Sequence, residues 1–387
     1  MMIAPLNTDP DNTFLPLHKP TVLFNMSEVH NVVNLENFTW HKFMQNDDEI
    51  ILAKKKLISE VRNQFGCGCC FAMVAAQGLS DHFVISGVVN WSPRISETAI
   101  LSCNPKNQCG GGNVAMVLKN LETIGVEDYT CVDYSWCNNS PLCTKIEHFA
   151  VMADYTEALN KKIPTSCGCY YKGDKFLYKP DKFKTVQYSI GFRVSIAKFR
   201  YEIKKHILNY GTPMASLAIY DNFKSGNFGV YFEKRKNDGT FSRFVVGKPG
   251  FHAVVVVGWG VEKNIPYDTN KIGDVPYWYC RNTWGKNWGE DGYFKIAMFP
   301  FNRLSQIDRT TIIGNNRTGG VILIRTTKQP QIIKKKKINV LPSLDKSVNF
   351  YQQTPKSIKL QTPITTINIS LLFILIFIWI FINLKKF

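Results

Sequence analysis

Acidic residues are scarce in this chain. Thirty Asp and Glu stand against 47 Lys and Arg over 387 residues, a formal net charge of +17. A surplus of that size raises nucleic acid as a partner, but two further absences exclude it. Arg-rich runs with interleaved aromatics, the footprint of a nucleic-acid surface, are missing. The surplus is also unevenly placed: from Val321 onward eleven basic residues face the single acid Asp345, so most of the excess belongs to the tail and no nucleic-acid partner is expected. The stretch Met1 to Asp11 lacks the basic and apolar regions of a secretory signal. Periodicity is lacking between residues 126 and 190, which read as loop tied down by cysteines. Apolar residues are not scarce: at 45% they exclude a disordered protein, and the length allows one large domain or two ordinary ones.

Cysteine is abundant, eleven in all, clustered from Cys67 to Cys169 with Cys280 apart. An odd count leaves one thiol free if the others pair. The organising stretch is Asn63-Gln-Phe-Gly-Cys-Gly-Cys-Cys-Phe-Ala72. From Cys70 the residues favour a helix that runs to about Ser86-Gly87. A cysteine at a helix N-terminus meets unpaired backbone N–H groups and the positive end of the helix dipole, and both favour thiolate. Gln64 offers an amide to an oxyanion forming at that sulfur. Two other readings stand beside this one: a small buried hydrophobe, or a metal site built from Cys67, Cys69 and Cys70.

Downstream, Cys109 precedes Gly110, Gly111 and Gly112, whose backbone lies open to a ligand. Asn113 is the expected N-cap of a helix over Val114–Ile124 closed by Gly125. A helix is expected over Val194–Tyr210, then strands over Met214–Tyr220, Ala253–Val257 and Tyr277–Cys280. His252 opens the second of these strands and Asn282 follows the third. A thiolate needs a base within reach, and that base needs an orienting partner. His252 and Asn282 supply both.

Together these motifs carry a resemblance. Gln64-x-x-Cys67-Gly68-x-Cys70-x-Ala72 resembles the active-site motif of the papain family of cysteine proteases. His252-Ala253-Val254-x-x-Val257-Gly258-Trp259-Gly260 is similar to that family's histidine motif, and Tyr277 to Tyr293 to its asparagine motif. Residues 211–231 and the cysteine-bearing insertion after Tyr129 look most like the cathepsin B branch. The resemblance covers about residues 35–310. It implies an α+β fold of two halves, a helical left domain and a β-barrel-like right domain, with the cleft between them. It implies Cys70 as nucleophile, His252 as its base, Asn282 orienting the imidazole under Trp284, Gln64 in the oxyanion hole, and Gly111 and Gly112 binding substrate backbone. Cys67 with Cys109, and Cys103 with Cys131, are the disulfides it suggests. Polypeptide substrates are implied, with no cofactor and no metal.

The chain departs from relatives at Phe71, where tryptophan is usual, and at Cys69, where serine is usual. A second thiol beside the nucleophile suggests redox inhibition through a vicinal or mixed disulfide. The insertion has no adjacent histidines like those behind dipeptide release in cathepsin B, so endopeptidase action is expected. The pocket for the second substrate residue falls partly in Met298–Thr311, where specificity is not legible.

The expected organisation is a 1–34 extension or short pro-segment, a 35–325 protease domain, a 326–366 basic polar linker, a 367–384 transmembrane helix and a 385–387 basic tail. Ile367–Leu384 carries no charge. At about 1.5 Å per residue it spans about 27 Å, near the short end for a bilayer. A single-pass membrane protein is expected, with a bilayer as partner through 367–384, in a host or virion membrane.

Overall fold

A helix that is apolar on every side has to be surrounded by the rest of the fold. Cys70–Ile85 is such a helix: all its residues are buried, including Gln77, Asp81 and His82. The computed structural model describes residues 26–42, 57–89, 91–103, 108–144, 152–165, 175–186, 195–227, 229–241, 250–298, 308, 310–313, 316–326 and 330–333. These all belong to one unit spanning Met1–Lys336. The expected linker beyond Ile333, the transmembrane segment 367–384, the basic tail and most of the specificity segment Met298–Thr311 lie outside the described residues. Among the described residues no helix is long and apolar enough to cross a membrane.

The longer helices, in chain order, are α1 (Met26–Val33), α2 (Cys70–Ile85), α3 (Glu97–Ser102), α4 (Val114–Ile124), α5 (Met152–Asn160) and α6 (Ile196–Asn209). The cap expected for α4 is present, and α6 has one inside the span expected to be helical. Asn113 Oδ1 accepts from the N–H groups of Ala115 and Met116, and Ser195 caps α6 through Lys198 N–H. α2, α3 and α4 pack together as a helical half.

The other half is an eight-stranded sheet: β1 (Phe38–Thr39), β2 (Lys182–Val186), β3 (Met214–Ile219), β4 (Val230–Tyr231), β5 (Gly250–Asp268), β6 (Lys271–Arg281), β7 (Tyr293–Ala297) and β8 (Val321–Arg325). Its order is β2-β8-β3-β5-β6-β7-β4, with β1 paired to β5. β5 is central because Ala253–Val257 is an unbroken apolar run with no solvent-facing side. α2 packs against β5 on one side and α6 against it elsewhere, through Phe199, Ile203 and Ile207 of the latter.

Several expectations change here. β5 and β6 run well past their apolar cores as an exposed antiparallel ribbon reaching Asp268 and Lys271. The ribbon is charged and held by backbone pairing, so no hydrophobic run announces it. The supposed loop region 126–190 contains α5, whose Tyr155 and Leu159 are buried, and strands Lys175–Tyr178 and Lys182–Val186. The N-terminal extension includes α1, which buries Val29 and Val33 and places His30 Nδ1 3.1 Å from the Tyr201 hydroxyl on α6. The fold also passes residue 325, since Gln331–Ile333 pairs with Lys175–Tyr178.

Candidate active site

α2 begins without a side-chain cap: Cys69 occupies the N-cap position and makes no capping hydrogen bond. The Ala72 N–H turns back to the Cys69 carbonyl at 2.9 Å, which leaves the N–H groups of Cys70 and Phe71 to serve a ligand or the cysteine sulfur. The backbone N–H groups of Ala253, Phe71 and Cys70 itself face the Cys70 thiol and pull its pKa down. Burial is the larger effect and pushes the thiol up to about 11. The helix terminus alone therefore does not make a thiolate, contrary to the expectation from position. A cationic partner is required.

His252 is that candidate. Its neighbour Ala253 contacts the Cys70 sulfur, while the imidazole Nε2 lies 2.6 Å from Asn282 Oδ1. The sheet makes this meeting possible: β5 and β6 are antiparallel with Val255 opposite Arg281, so the residues just beyond the pairing share one mouth. Asn282 Oδ1 also accepts the Thr283 N–H at 2.8 Å, which identifies that atom as oxygen. His252 Nε2 must then be the donor, leaving Nδ1 with its lone pair to accept a proton. Burial lowers the His252 pKa to about 4, opposed by the Asn282 bond. Trp284 covers the pair, its ring centre 4.9 Å from the imidazole, and Phe223 stands behind at 6.2 Å.

Gln64 is 8% exposed, and three groups fix its position. Its N–H donates to the Thr283 carbonyl (2.8 Å), its Oε1 accepts from Thr283 Oγ1 (2.5 Å), and its carbonyl accepts from the Tyr134 hydroxyl (3.0 Å). Its Nε2 donates one hydrogen to the Cys67 carbonyl at 3.0 Å. The amide's second hydrogen remains for an oxyanion. Thr283 and Tyr134 escaped the sequence reading; only the place of Thr283 between Asn282 and Trp284 hinted at a role.

Cys67 and Cys109 form a disulfide, as the resemblance suggested, and the Gly68 N–H donates to the Cys109 carbonyl at 2.9 Å. Cys103 and Cys131 are each disulfide-bonded as well, and an unforeseen Cys137–Cys143 bond closes a short loop. Gly111 has φ +99 and open space at its Cβ position, while a Cβ on Gly112 would come within 2.6 Å of the Phe71 ring. Phe71 is buried against that glycine backbone.

Cys69 does not suit the redox role expected of it. Its thiol is fully buried, lies 3.3 Å from the Tyr134 hydroxyl and has its pKa raised by burial. A thiol without thiolate character or access is inert. Among the described residues no group of three or more His, Cys, Asp or Glu is placed to hold a metal ion.

Comparison with known proteins agrees with this geometry. Residues 48–311 match the family described as papain family cysteine protease. Probable cysteine proteinase 224L of Invertebrate iridescent virus 6 is 36% identical, over 82% of this chain and 75% of that protein. Probable cysteine proteinase 024R of Invertebrate iridescent virus 3 is 35% identical, over 80% and 67%. Cathepsin B-like cysteine proteinase 3 of Caenorhabditis elegans is 32% identical, over 62% and 57%. With a thiol at an uncapped helix start, a histidine–asparagine pair at the facing sheet mouth and this extent of likeness, the chain belongs to the papain family of cysteine proteases, hydrolases of the cysteine-peptidase type.

Proposed function

We propose that the protein is a membrane-anchored thiol endopeptidase in which Cys70 and His252 act as a thiolate–imidazolium pair oriented by Asn282. The observation that carries the catalytic part is the 2.6 Å His252–Asn282 bond, one residue before the Ala253 N–H that faces the Cys70 thiol and lowers its pKa. Each group resists charging alone because each is buried. Moving the thiol proton to His252 Nδ1 creates both charges together, so each supplies the partner the other lacks.

The thiolate then attacks the peptide carbonyl carbon, and the C=O electron pair moves to oxygen. Gln64 Nε2 and the Cys70 N–H donate to that oxyanion. His252 returns its proton to the leaving nitrogen as the C–N bond breaks, giving a thioester on Cys70. Water adds to the thioester with its proton passing to His252, and collapse frees the acid and restores the thiol. Gly111 and Gly112 pair with substrate backbone on the acyl side, as in strand addition. Trp284 keeps water from the imidazole–amide bond.

An epoxide-type thiol-protease inhibitor tests this. Single modification at Cys70, lost in His252→Ala, is expected by mass spectrometry of the intact and digested protein. Absence of labelling in reduced, folded protein refutes the catalytic assignment.

The uncharged run 367–384 supports a single bilayer span following the basic linker. The membrane proposed is that of a host cell or virion. Full-length protein is expected in the membrane pellet after carbonate extraction and a chain lacking 367–384 in the supernatant. Identical partition of the two would reject the anchor.

A further inference from the structure

Four described residues other than glycine hold a positive φ: Asn264, Asn270, Asp291 and Phe65. Asn and Asp tolerate the left-handed region because their short side chains bond locally, whereas a bulky aromatic there is a genuine outlier. Phe65 has φ +49, and its ring is among the few large apolar side chains left in solvent, 37% exposed. Strained backbone and an exposed ring are both unfavourable for folding. Such a residue persists when its surroundings over-determine it, and these sites cluster where strain serves function.

The clamps are visible on both flanks. The Phe65 N–H donates to Asn63 Oδ1 at 2.9 Å, and Asn63 is bridged to Trp284. Gln64 is tied to Thr283 by backbone and side chain. On the far side the Gly66 N–H donates to the Cys143 carbonyl at 3.0 Å, and Cys143 is bonded to Cys137. A Cβ on Gly66 would lie 1.9 Å from the Tyr155 hydroxyl oxygen, so the chain here is pressed against α5 and the insertion. The backbone cannot relax, and the ring stays in solvent.

Its position relative to the nucleophile gives the ring a task. Gly68 reaches Cys109 and Gly111 on one side of Cys70, the side of the acyl part of the substrate. Asn63 and Gln64 join Trp284 and Thr283 on the other, and Phe65 follows them directly, its N–H held by Asn63 Oδ1. We propose that Phe65 is a specificity-determining residue: its ring packs against the leaving-group part of the substrate and selects a bulky apolar side chain just past the scissile bond. This rests on Cys70 as nucleophile and on Gly111 and Gly112 as the acyl-side binding strand. An aromatic held rigid before binding loses little entropy when it contacts substrate, and binding energy there acts on kcat/KM.

The test uses internally quenched peptides that differ only at the residue after the scissile bond, Leu or Phe against Gly or Asp. Active enzyme in each preparation is counted by epoxide labelling of Cys70. The wild type is expected to favour the bulky apolar peptides by about tenfold in kcat/KM. Phe65→Gly is expected to bring that ratio near one, Phe65→Leu to restore most of it, and the Tm of Phe65→Gly not to fall. An unchanged ratio in Phe65→Gly overturns the proposal. So does a lowered Tm with kcat/KM reduced equally for all peptides, which is the mark of a packing residue. Wild-type protein that Cys70 labelling fails to detect overturns instead the catalytic reading, and the proposal with it.

Discussion

Thr283 shows how a residue with no reactive group can govern one that has. Its hydroxyl donates to Gln64 Oε1 and its carbonyl accepts the Gln64 N–H, so the proposed oxyanion donor is oriented from the loop that carries Asn282. Thr283→Val keeps the shape and removes the donor. With Gln64 Oε1 then unpaired in a buried site, the loss is about 1–2 kcal/mol, a fall in kcat of about tenfold with KM little altered. Thr283→Ser is expected to recover most of the rate on the same fluorogenic peptide. A Thr283→Val enzyme with wild-type kcat would show that Gln64 needs no such support. Cys70, His252, Asn282 and Gln64 could be named from the sequence as candidates because nucleophilic catalysis restricts which residue types can stand there, and the structure brings His252 and Asn282 together. Thr283 was not, since a hydroxyl that orients an amide leaves no spacing of its own.

At the scale of elements, the two halves of the site are joined by a buried charge pair. Asp81 lies on α2, the helix that starts at Cys70, and Arg281 is the last residue of β6, next to Asn282. Arg281 Nη2 donates to Asp81 Oδ2 at 2.8 Å, and Thr212 Oγ1 and the Ser59 N–H complete the carboxylate's partners. Both side chains are wholly buried. Breaking one partner leaves an uncompensated charge, so Asp81→Asn is expected to cost about 3–5 kcal/mol in urea unfolding. The double change Asp81→Asn with Arg281→Met is expected to recover most of that stability. If Asp81→Asn unfolds at the wild-type urea concentration, the pair is not what holds α2 to β6. Elements with a strong local signal, α2, α4 and the core of β5, match their sequence pattern closely. The outer β5–β6 ribbon and α5 do not: the ribbon is fixed by strand pairing, and α5 is a short helix whose buried face comes down to Tyr155 and Leu159.

For the whole molecule, the resemblance conveyed two halves meeting at a cleft, but burial and its electrostatic consequences emerge only once the chain is packed. Three buried histidines carry the clearest of these. Burial lowers His82 on α2 to about 3 and His252 to about 4, and depresses His206 on α6 well below its ordinary value, with His82 adding repulsion. The rings of His82 and His206 are 5.5 Å apart, and His82 Nε2 lies 3.2 Å from the Thr212 carbonyl. His82 and His206 stay neutral in the folded protein, and Cys70 and His252 share a single proton, under conditions where each histidine of the unfolded chain, with an ordinary pKa of about 6.5, takes up a further proton. The unfolded state then binds more protons, and stability falls as pH drops below about 6.5, continuing until the folded values are reached. Each histidine contributes a slope of up to about 1.4 kcal/mol per pH unit over that range. Stability should therefore be flat for these groups above neutrality and decline steeply from pH 6 to 4, measured as urea midpoints at fixed salt. Replacing His206 with Phe removes one proton taken up on unfolding, and the slope between pH 6 and 4 is expected to drop by up to about 1.4 kcal/mol per pH unit. A His206→Phe protein with the wild-type slope would mean that His206 is already charged in the folded state, against the burial that surrounds it.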